Sequence, residues 1–370
     1  MSKVKIALVY DRVNKWGGAE RLLLALHRLF PDAPLYTSVY SRENASWAKV
    51  FNIVPSFLNS IGIFQTRHEF IPFLMPFAFE SFDFSQFDLV ISITSGEAKG
   101  IVTKPETVHV CYCLTPTRYL WLDNVDYFTG RLGTAIKFIN RPIVSLLKIW
   151  DMVAKERPDY FFAISDLVKK RLKKYYHKDS IVIYPPLDPF FEKKVENKNG
   201  DYYLVVTRLV GYKRIDLAVL AANKLGFPLK IVGVGRELEG LKKIAGETVE
   251  FVGPQSESQL QALYSACKAV IIPGEEDFCL TSVEAQASGK PVIAYKHSGV
   301  KESVIDGTTG MLFDDQSEDS LVNCITKFST IKISSENCHR NSAKFGIKIF
   351  EKKFKEEINK ILKSHGKNTI

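Results

Sequence analysis

Apolar positions along this chain fall in short blocks. Each block is closed by a turn rich in glycine, proline or charge, and helical periodicity then follows. The first half opens on the strand-like "KVKIALVY", turns through "DRVNKWGGAE" and enters the helix-like "RLLLALHRLF". Further apolar strands are predicted at 34–40, 87–93, 107–113, 159–164 and 180–184, with helical stretches between several of them. Alternation of this kind predicts a mostly parallel sheet covered by helices on both faces.

"YPPLDPFFEKKVENKNGD", residues 184–201, breaks the pattern with three prolines, a charge run and Asn-Gly, which reads as a linker. The same grammar then restarts. Strand "YYLVVTR" leads to helix "IDLAVLAANKL", strand "PLKIVG", helix "ELEGLKKIA" and strand "VEFVG". Helix "SESQLQALYSAC", with Ser256 as N-cap and Gln259 reaching back, is followed by strand "AVIIP", a turn and helix, and strand "PVIAY". The tail is helical in pattern, with no further strand expected. The predicted organisation is α/β: a Rossmann-like domain over 1–184, a linker over 185–200, a second Rossmann-like domain over 201–340, and a helical tail over 341–370 packing back toward the first domain. Doubly wound sheets take ligands at the carboxyl ends of their strands, so the expected site is a cleft between two facing sheets.

Composition narrows the class without changing this picture. At 370 residues the chain exceeds what one core usually supports, and its 46% hydrophobic and 25% charged content is that of a soluble globular protein. No apolar run is long enough to span a bilayer, and the N-terminal stretch is too short for a signal peptide, so a cytoplasmic location is expected. Six cysteines without a CxxC pair read as reduced packing residues, and no spacing suggests a metal site. The net charge of +9 leaves nucleic acid, an anionic membrane surface or an anionic substrate as partners. No nucleic-acid module is present. Basic residues are densest over 131–178 and in the tail from Lys344. For the first cluster, with its amphipathic "KFINRPIVSLLKIWDMVAKER", the readings are a solvated helix face or a peripheral contact with the inner face of the membrane. The aromatic stretch 56–79 ranks first as core, then as a wall of the acceptor side or a membrane-facing surface.

Candidate chemistry gathers at the predicted sheet edges. Gly17-Gly18, between strand and helix, would let a phosphate approach the backbone at a helix N-terminus, or would form a simple tight turn. Arg208 is expected to end the first strand of the second domain and Lys213 to open its first helix. Each charge-assisted contact is worth roughly 1.5–3 kcal/mol, so the two could hold a diphosphate without a metal. The alternative is pairing of one of them with a neighbouring acid such as Asp216. In "IIPGEEDFCLTSVEAQASGKPVIA", Glu276 and Glu284 would lie about 12 Å apart on one straight helix, but a strand–loop–helix path bends them toward two parts of one elongated ligand. A nucleotide-sugar has that shape and those hydroxyls.

Taken together, "VYDRVNKWGGAER", "YCLTPTRYLW", "AISDLVKKRLKKYY", "IYPPLD", "VTRLVGYKRIDLAV" and "EEDFCLTSVEAQASGKPVIAY" resemble glycosyltransferase family 4 over nearly the whole chain. That family comprises retaining enzymes of the GT-B fold, and the resemblance points to its mannosyltransferase-like branch. It implies that Arg208 and Lys213 hold and stabilise the donor diphosphate. Glu284 would bind ribose hydroxyls and Glu276 those of the transferred sugar. Gly17 and Gly18 would meet the phosphate, the amides of Cys279, Leu280 and Thr281 would face the donor, and Val252-Gly253 would line the base. Leu114, Thr115 and Arg118 would stand on the sugar and acceptor side. No metal or other cofactor is implied, and no D-x-D motif is present. Two positions depart from the family pattern. Leu114 stands where relatives read histidine in "YCHTP", and His109, five residues earlier, is expected inside the sheet. Cys279 stands where glycine is usual, which would strain a backbone needing φ > 0.

The reading is therefore a retaining, metal-independent transferase. It moves a hexose, first guess mannose from GDP-mannose and then a UDP-sugar, to a glycan or lipid-linked acceptor. The rivals are a nucleotide-sugar epimerase or hydrolase of the same architecture, and a non-catalytic nucleotide-sugar-binding protein, for which Leu114 is the motive. A dehydrogenase ranks lower, since neither half has a complete G-x-G-x-x-G.

Overall fold

The computed structural model describes residues 3–66, 71–122, 134–193, 196, 198 and 200–370. The chain divides into two compact units, Met1–Ile183 with Glu351–Ile370, and Tyr184–Phe350.

The first unit is built on seven parallel strands: β1 (Ile6–Tyr10), β2 (Leu35–Thr37), β3 (Ile53–Pro55), β4 (Leu89–Thr94), β5 (Val108–Cys113), β6 (Tyr160–Ala163) and β7 (Ile181–Val182). They are ordered β3-β2-β1-β4-β5-β6-β7. β4 and β5 are buried at every position, as strands covered on both faces must be. The helices used below are α1 (Gly18–Leu29), α2 (Met75–Glu80), α3 (Thr134–Ala154) and α4 (Asp166–Arg171).

The second unit has six parallel strands: β8 (Tyr203–Val206), β9 (Leu229–Val232), β10 (Val249–Gly253), β11 (Val270–Ile272), β12 (Val292–Tyr295) and β13 (Gly310–Phe313). Their order is β10-β9-β8-β11-β12-β13. Its principal helices are α5 (Ile215–Leu225), α6 (Glu257–Ala266) and α7 (Leu280–Ala287). α6 starts with the expected reciprocal cap between Ser256 and Gln259. A last helix, α8 (Ile347–Ser364), begins in the second unit and ends in the first. In each sheet the strand order reverses beside the first strand, between β1 and β4 and between β8 and β11. Loops leaving the carboxyl ends of such neighbouring strands diverge to opposite faces and open a crevice between them.

Several local expectations change. Residues 185–193 are not a free connection: Pro189–Glu192 form a helical turn, and Leu187 and Phe191 are buried, Phe191 against Tyr264. Proline and charge outweighed two buried apolar side chains in the sequence reading. Residues 194, 195, 197 and 199 of that stretch lie outside the described residues. The segment 56–79 is only half core. Leu58, Ile71, Met75 and Ala78 pack with Val39, while Phe57, Ile61, Ile63, Phe73 and Phe77 are 47–60% exposed. Residues 67–70 of it, and 131–133 of the basic cluster, fall outside the description.

Candidate functional site

The candidates fall on both units: Gly17, Gly18, Leu114, Thr115 and Arg118 on the first, and the remainder on the second. On the second unit, the loops after β8 and β11, the two strands flanking its order reversal, carry most of the chemistry.

The chain leaves β8 at Val206, passes the exposed Arg208, and forms a single 3-10 turn, Gly211–Lys213, before α5 starts at Ile215. Arg208 and Lys213 thus sit just outside the strand and helix they were expected to end and open. The Lys213 ammonium donates to Glu276 Oε1 at 2.5 Å, with the two side chains 11% and 14% exposed. Burial alone would lower the lysine's pKa. Burial is the largest single influence, but Glu276, Tyr212 and Cys279 together outweigh it, and the pKa rises above the ordinary value. Asp216 is taken by Arg214 instead, at 3.1 Å. Tyr212 links the two candidate cations. Its hydroxyl accepts from Arg208 Nη2 at 2.8 Å, and its ring centroid lies 5.0 Å from Lys213 Nζ.

The loop after β11 is pressed from two sides. A Cβ on Gly274 would fall 2.6 Å from the Cα of Lys213, and one on Gly299 would fall 2.1 Å from the carbonyl of Asp277. Only glycine admits that approach, and the Gly299 N–H donates to Glu276 O at 2.7 Å. Buried Phe278 anchors the loop by stacking on Tyr184, ring centroids 5.3 Å apart, and by an edge contact with Phe345.

Cys279 caps α7 at φ 77°, one of three described non-glycine residues with positive φ. Burial pushes its thiol pKa up and Glu276 adds to the shift, against the pull of Lys213. The amides of Leu280 and Thr281 open α7, where N–H groups have no acceptor within the helix and the helix dipole is positive. One turn on, buried Glu284 accepts from Tyr264 Oη at 2.9 Å. The loops after β8 and β11 with α7 therefore hold two cations, two carboxylates and a helix N-terminus. Val252 and Gly253 end β10, two strands away from β8; the Gly253 carbonyl accepts from the Gly233 N–H at 3.1 Å. A separate cavity of about 330 Å³ on this unit is lined by Leu187, Glu192, His339 and Lys348 and touches none of the candidates.

On the first unit the glycine argument changes. Gly17 is extended at φ 176°, a conformation open to any residue, and Gly18 begins α1 with no positive φ. The tight spot is steric, since a Cβ on Gly17 would meet Glu20 Oε2 at 3.1 Å. Leu114 follows β5 half-buried, its N–H donating to Thr94 O at 2.8 Å. Thr115 is buried and accepts from Arg171 Nη1 at 3.4 Å, and Arg118 begins the one-turn helix Arg118–Trp121. His109 lies inside the sheet, its Nε2 2.8 Å from Ser92 Oγ, and burial drives its pKa down to about 3.

Two buried acids that sequence reading passed over hold these loops. Asp11, directly after β1, accepts from Thr94 Oγ1 at 2.7 Å, Ser95 N at 2.7 Å and Ala98 N at 2.9 Å, tying the ends of β1 and β4. Asp151 on α3 gathers Lys99 Nζ at 2.5 Å, Thr117 Oγ1 at 2.6 Å, Trp121 Nε1 at 2.7 Å and Tyr176 Oη at 2.7 Å. The one sequence signal for the latter is an acid inside an otherwise apolar helix stripe.

Two parallel sheets of this connectivity, with charged loops at a strand-order reversal, define the fold class as two Rossmann-like units, as in the GT-B glycosyltransferases among the structural neighbours. Residues 188–345, most of the second unit, match the family model described as "Glycosyl transferases group 1". An uncharacterized glycosyltransferase of Methanocaldococcus jannaschii is 27% identical over 211 residues, 55% of this chain and 58% of that relative, so the chain spans about three fifths of its length. Among solved structures, sucrose-phosphate synthase from Thermosynechococcus elongatus superposes with TM-score 0.73 at 17% identity, covering 98% of this chain and 100% of that one. Anabaena HepE in complex with UDP superposes with TM-score 0.69 at 16% identity, covering 96% and 99%.

Proposed function

We propose that this chain is a glycosyltransferase that binds a nucleotide diphosphate sugar on its second unit and transfers the hexose. The observation that carries the reading is the Lys213–Glu276 pair where β8 and β11 diverge, with Arg208 joined to it through Tyr212 and α7 opening beside it. A departing nucleoside diphosphate concentrates negative charge, and fixed cations with a helix N-terminus answer it without reorganisation. Arg208, Lys213 and the Leu280 and Thr281 amides take the diphosphate in this reading. Glu276 takes hydroxyls of the transferred sugar, Glu284 those of the ribose, and Val252-Gly253 the base. An ammonium has three N–H donors, so the bond to Glu276 leaves Lys213 able to meet phosphate oxygens as well. These two cations supply the charge for which a metal would otherwise serve, so the reaction proceeds without one. Gly17, Gly18, Leu114, Thr115 and Arg118 serve the acceptor side, with a glycan or lipid-linked acceptor and retention of anomeric configuration.

For the donor, mannose on GDP is the first candidate from the sequence. The UDP bound by the Anabaena neighbour supports a uridine donor beside it. A second reading, donor binding without turnover, is favoured by one feature. Leu114 places a hydrocarbon side chain directly after β5, where no proton or hydrogen bond can be given. The test is nucleotide release from GDP-mannose, UDP-glucose and UDP-N-acetylglucosamine in the presence of chelator, followed by product anomer analysis by NMR. Release with one donor, lost in Lys213→Ala, supports transfer or hydrolysis. Bound donor without release from any of them selects the second reading, and isomerised donor selects an epimerase.

A further inference from the structure

The first unit carries two features that donor chemistry does not use: an exposed apolar surface and all of the excess positive charge. Residues 1–183 with 351–370 hold 30 Lys and Arg against 20 Asp and Glu, while residues 184–350 hold 20 against 21. The net charge of +9 is therefore a property of one unit. On α3, Leu146, Ile149 and Val153 are 67%, 65% and 56% exposed. At 3.6 residues per turn they fall within about 60° of one another, so they form a single stripe. The opposite side of the same helix is committed inward, with Leu147, Asp151 and Ala154 buried.

The end of α2 is tied to α3. Glu80 accepts from Trp150 Nε1 of α3 at 2.7 Å and pairs with Arg157, just past α3, at 2.6 Å, so the last residue of α2 is held at the C-terminal half of α3. Phe77, one turn before Glu80, and Phe73 just upstream are exposed. Residues 56–66 and 71–79 contain no charged side chain at all. Soluble surfaces usually scatter such residues singly, and a stripe beside exposed phenylalanines marks a contact surface.

Cations stand at the end of that stripe. Glu156, one turn past Val153, pairs with Lys178 at 2.5 Å. Lys178 lines a groove of about 260 Å³ together with Lys169, Lys170, Lys173, Asp166 and Asp179. From the other side, Lys148 of α3 lies 5.5 Å over the Trp121 ring, Trp121 packs on Tyr175 at 5.7 Å, and Lys174 lies 5.2 Å over Tyr175. No described helix is long and apolar enough to cross a membrane. An apolar stripe with lysines beside it suits the plane of a lipid interface instead.

We infer that the first unit docks on an anionic lipid surface through the α3 stripe and the exposed phenylalanines of 73–77, with the Lys169–Lys178 groove taking lipid phosphates. Charge complementarity selects this occupant over a second copy of the chain, since two copies would bring two units of like charge together. This goes beyond the transferase reading and is read without donor or turnover.

The test is co-sedimentation with phosphatidylcholine vesicles, with and without phosphatidylglycerol, at low and high salt. The intact protein pellets with the anionic vesicles, on the order of tenfold more than with the neutral ones, and salt reverses it. The double variant Ile149→Asp, Val153→Asp and the double variant Lys169→Glu, Lys170→Glu each lose most of that binding. Ile244→Asp, at an exposed isoleucine of the second unit, keeps it. All four positions of the double variants are exposed, so thermal midpoints stay near that of the parent protein. Equal pelleting with both vesicle types, or equal loss in Ile244→Asp, overturns the inference. So does a dimer in size-exclusion light scattering that Ile149→Asp, Val153→Asp dissociates, which would make a second copy the occupant.

Discussion

Replacing Cys279 in turn by glycine, alanine and valine isolates the strain at the start of α7. A non-glycine residue in the left-handed region costs about 1–2 kcal/mol, and Cys279 sits there at φ 77°. Alanine keeps that strain, though it spares about 0.4–1 kcal/mol of unfolded-chain entropy relative to glycine. Glycine should therefore be more stable than alanine by about 0.5–1 kcal/mol, the reverse of their usual order. Against the parent protein, glycine loses a half-buried CH₂–SH worth about 0.5 kcal/mol and pays the entropy term, leaving it within about 1 kcal/mol of neutral. Valine, β-branched at positive φ, should be the least stable of the series, by about 2 kcal/mol or more. Urea unfolding resolves these differences by unit. All four tryptophans, Trp16, Trp47, Trp121 and Trp150, lie in the first unit, so fluorescence follows that unit alone while far-UV circular dichroism follows both. The series should move the circular dichroism transition and leave the fluorescence transition in place. Alanine equal to or above glycine would refute the strain argument.

Three further perturbations have definite signs. Lys213→Met should cost about 3 kcal/mol, because it leaves the nearly buried Glu276 carboxylate alone, while Lys213→Met with Glu276→Gln should recover most of it in the same urea assay. Tyr264→Phe removes a donor from buried Glu284 and should weaken donor binding, or raise KM with kcat less affected, by about tenfold, read by calorimetry or initial rates. His109 is held neutral to about pH 3 in the folded chain against 6.5 ordinarily, so the unfolded chain binds more protons between those values. Its contribution to stability is complete above pH 6.5 and falls as the pH drops toward 3, by up to about 1.4 kcal/mol per pH unit. His109→Gln should flatten that dependence of the tryptophan-detected transition between pH 7 and 5.

Sequence pattern located the strands that fall inside mainly apolar runs of the chain, such as β1, β4, β5 and β8. It missed β3 and β13, which have three and four residues, sit at sheet edges, and contain Pro55 and Gly310, so they lack the run that marks a buried strand. Spacing also brought Glu276 and Lys213 onto loops of the same strand pair, because their offsets from apolar strands survive as positions at the sheet edge. That they bond each other, and that Tyr212 joins Arg208 to Lys213, depends on side-chain direction, which spacing does not encode. The roles of Gly274 and Gly299 depend on contacts with chain segments distant in sequence, Gly274 with Lys213 above all. Asp11 and Asp151 were invisible for the same reason: their partners come from loops and helices remote in sequence. Cys279 was legible, since one residue out of keeping with a turn is a local signal.

The claim that the second unit is a nucleoside diphosphate site is tested most directly by calorimetric titration of UDP and of GDP, with chelator present. The titrations are run on the parent protein, on Arg208→Ala and on Lys213→Met. Binding of one nucleotide, weakened roughly ten- to hundredfold in each variant, is the predicted result, as expected for loss of one charge-assisted phosphate contact. Binding of neither nucleotide, or equal binding by all three proteins, would contradict it.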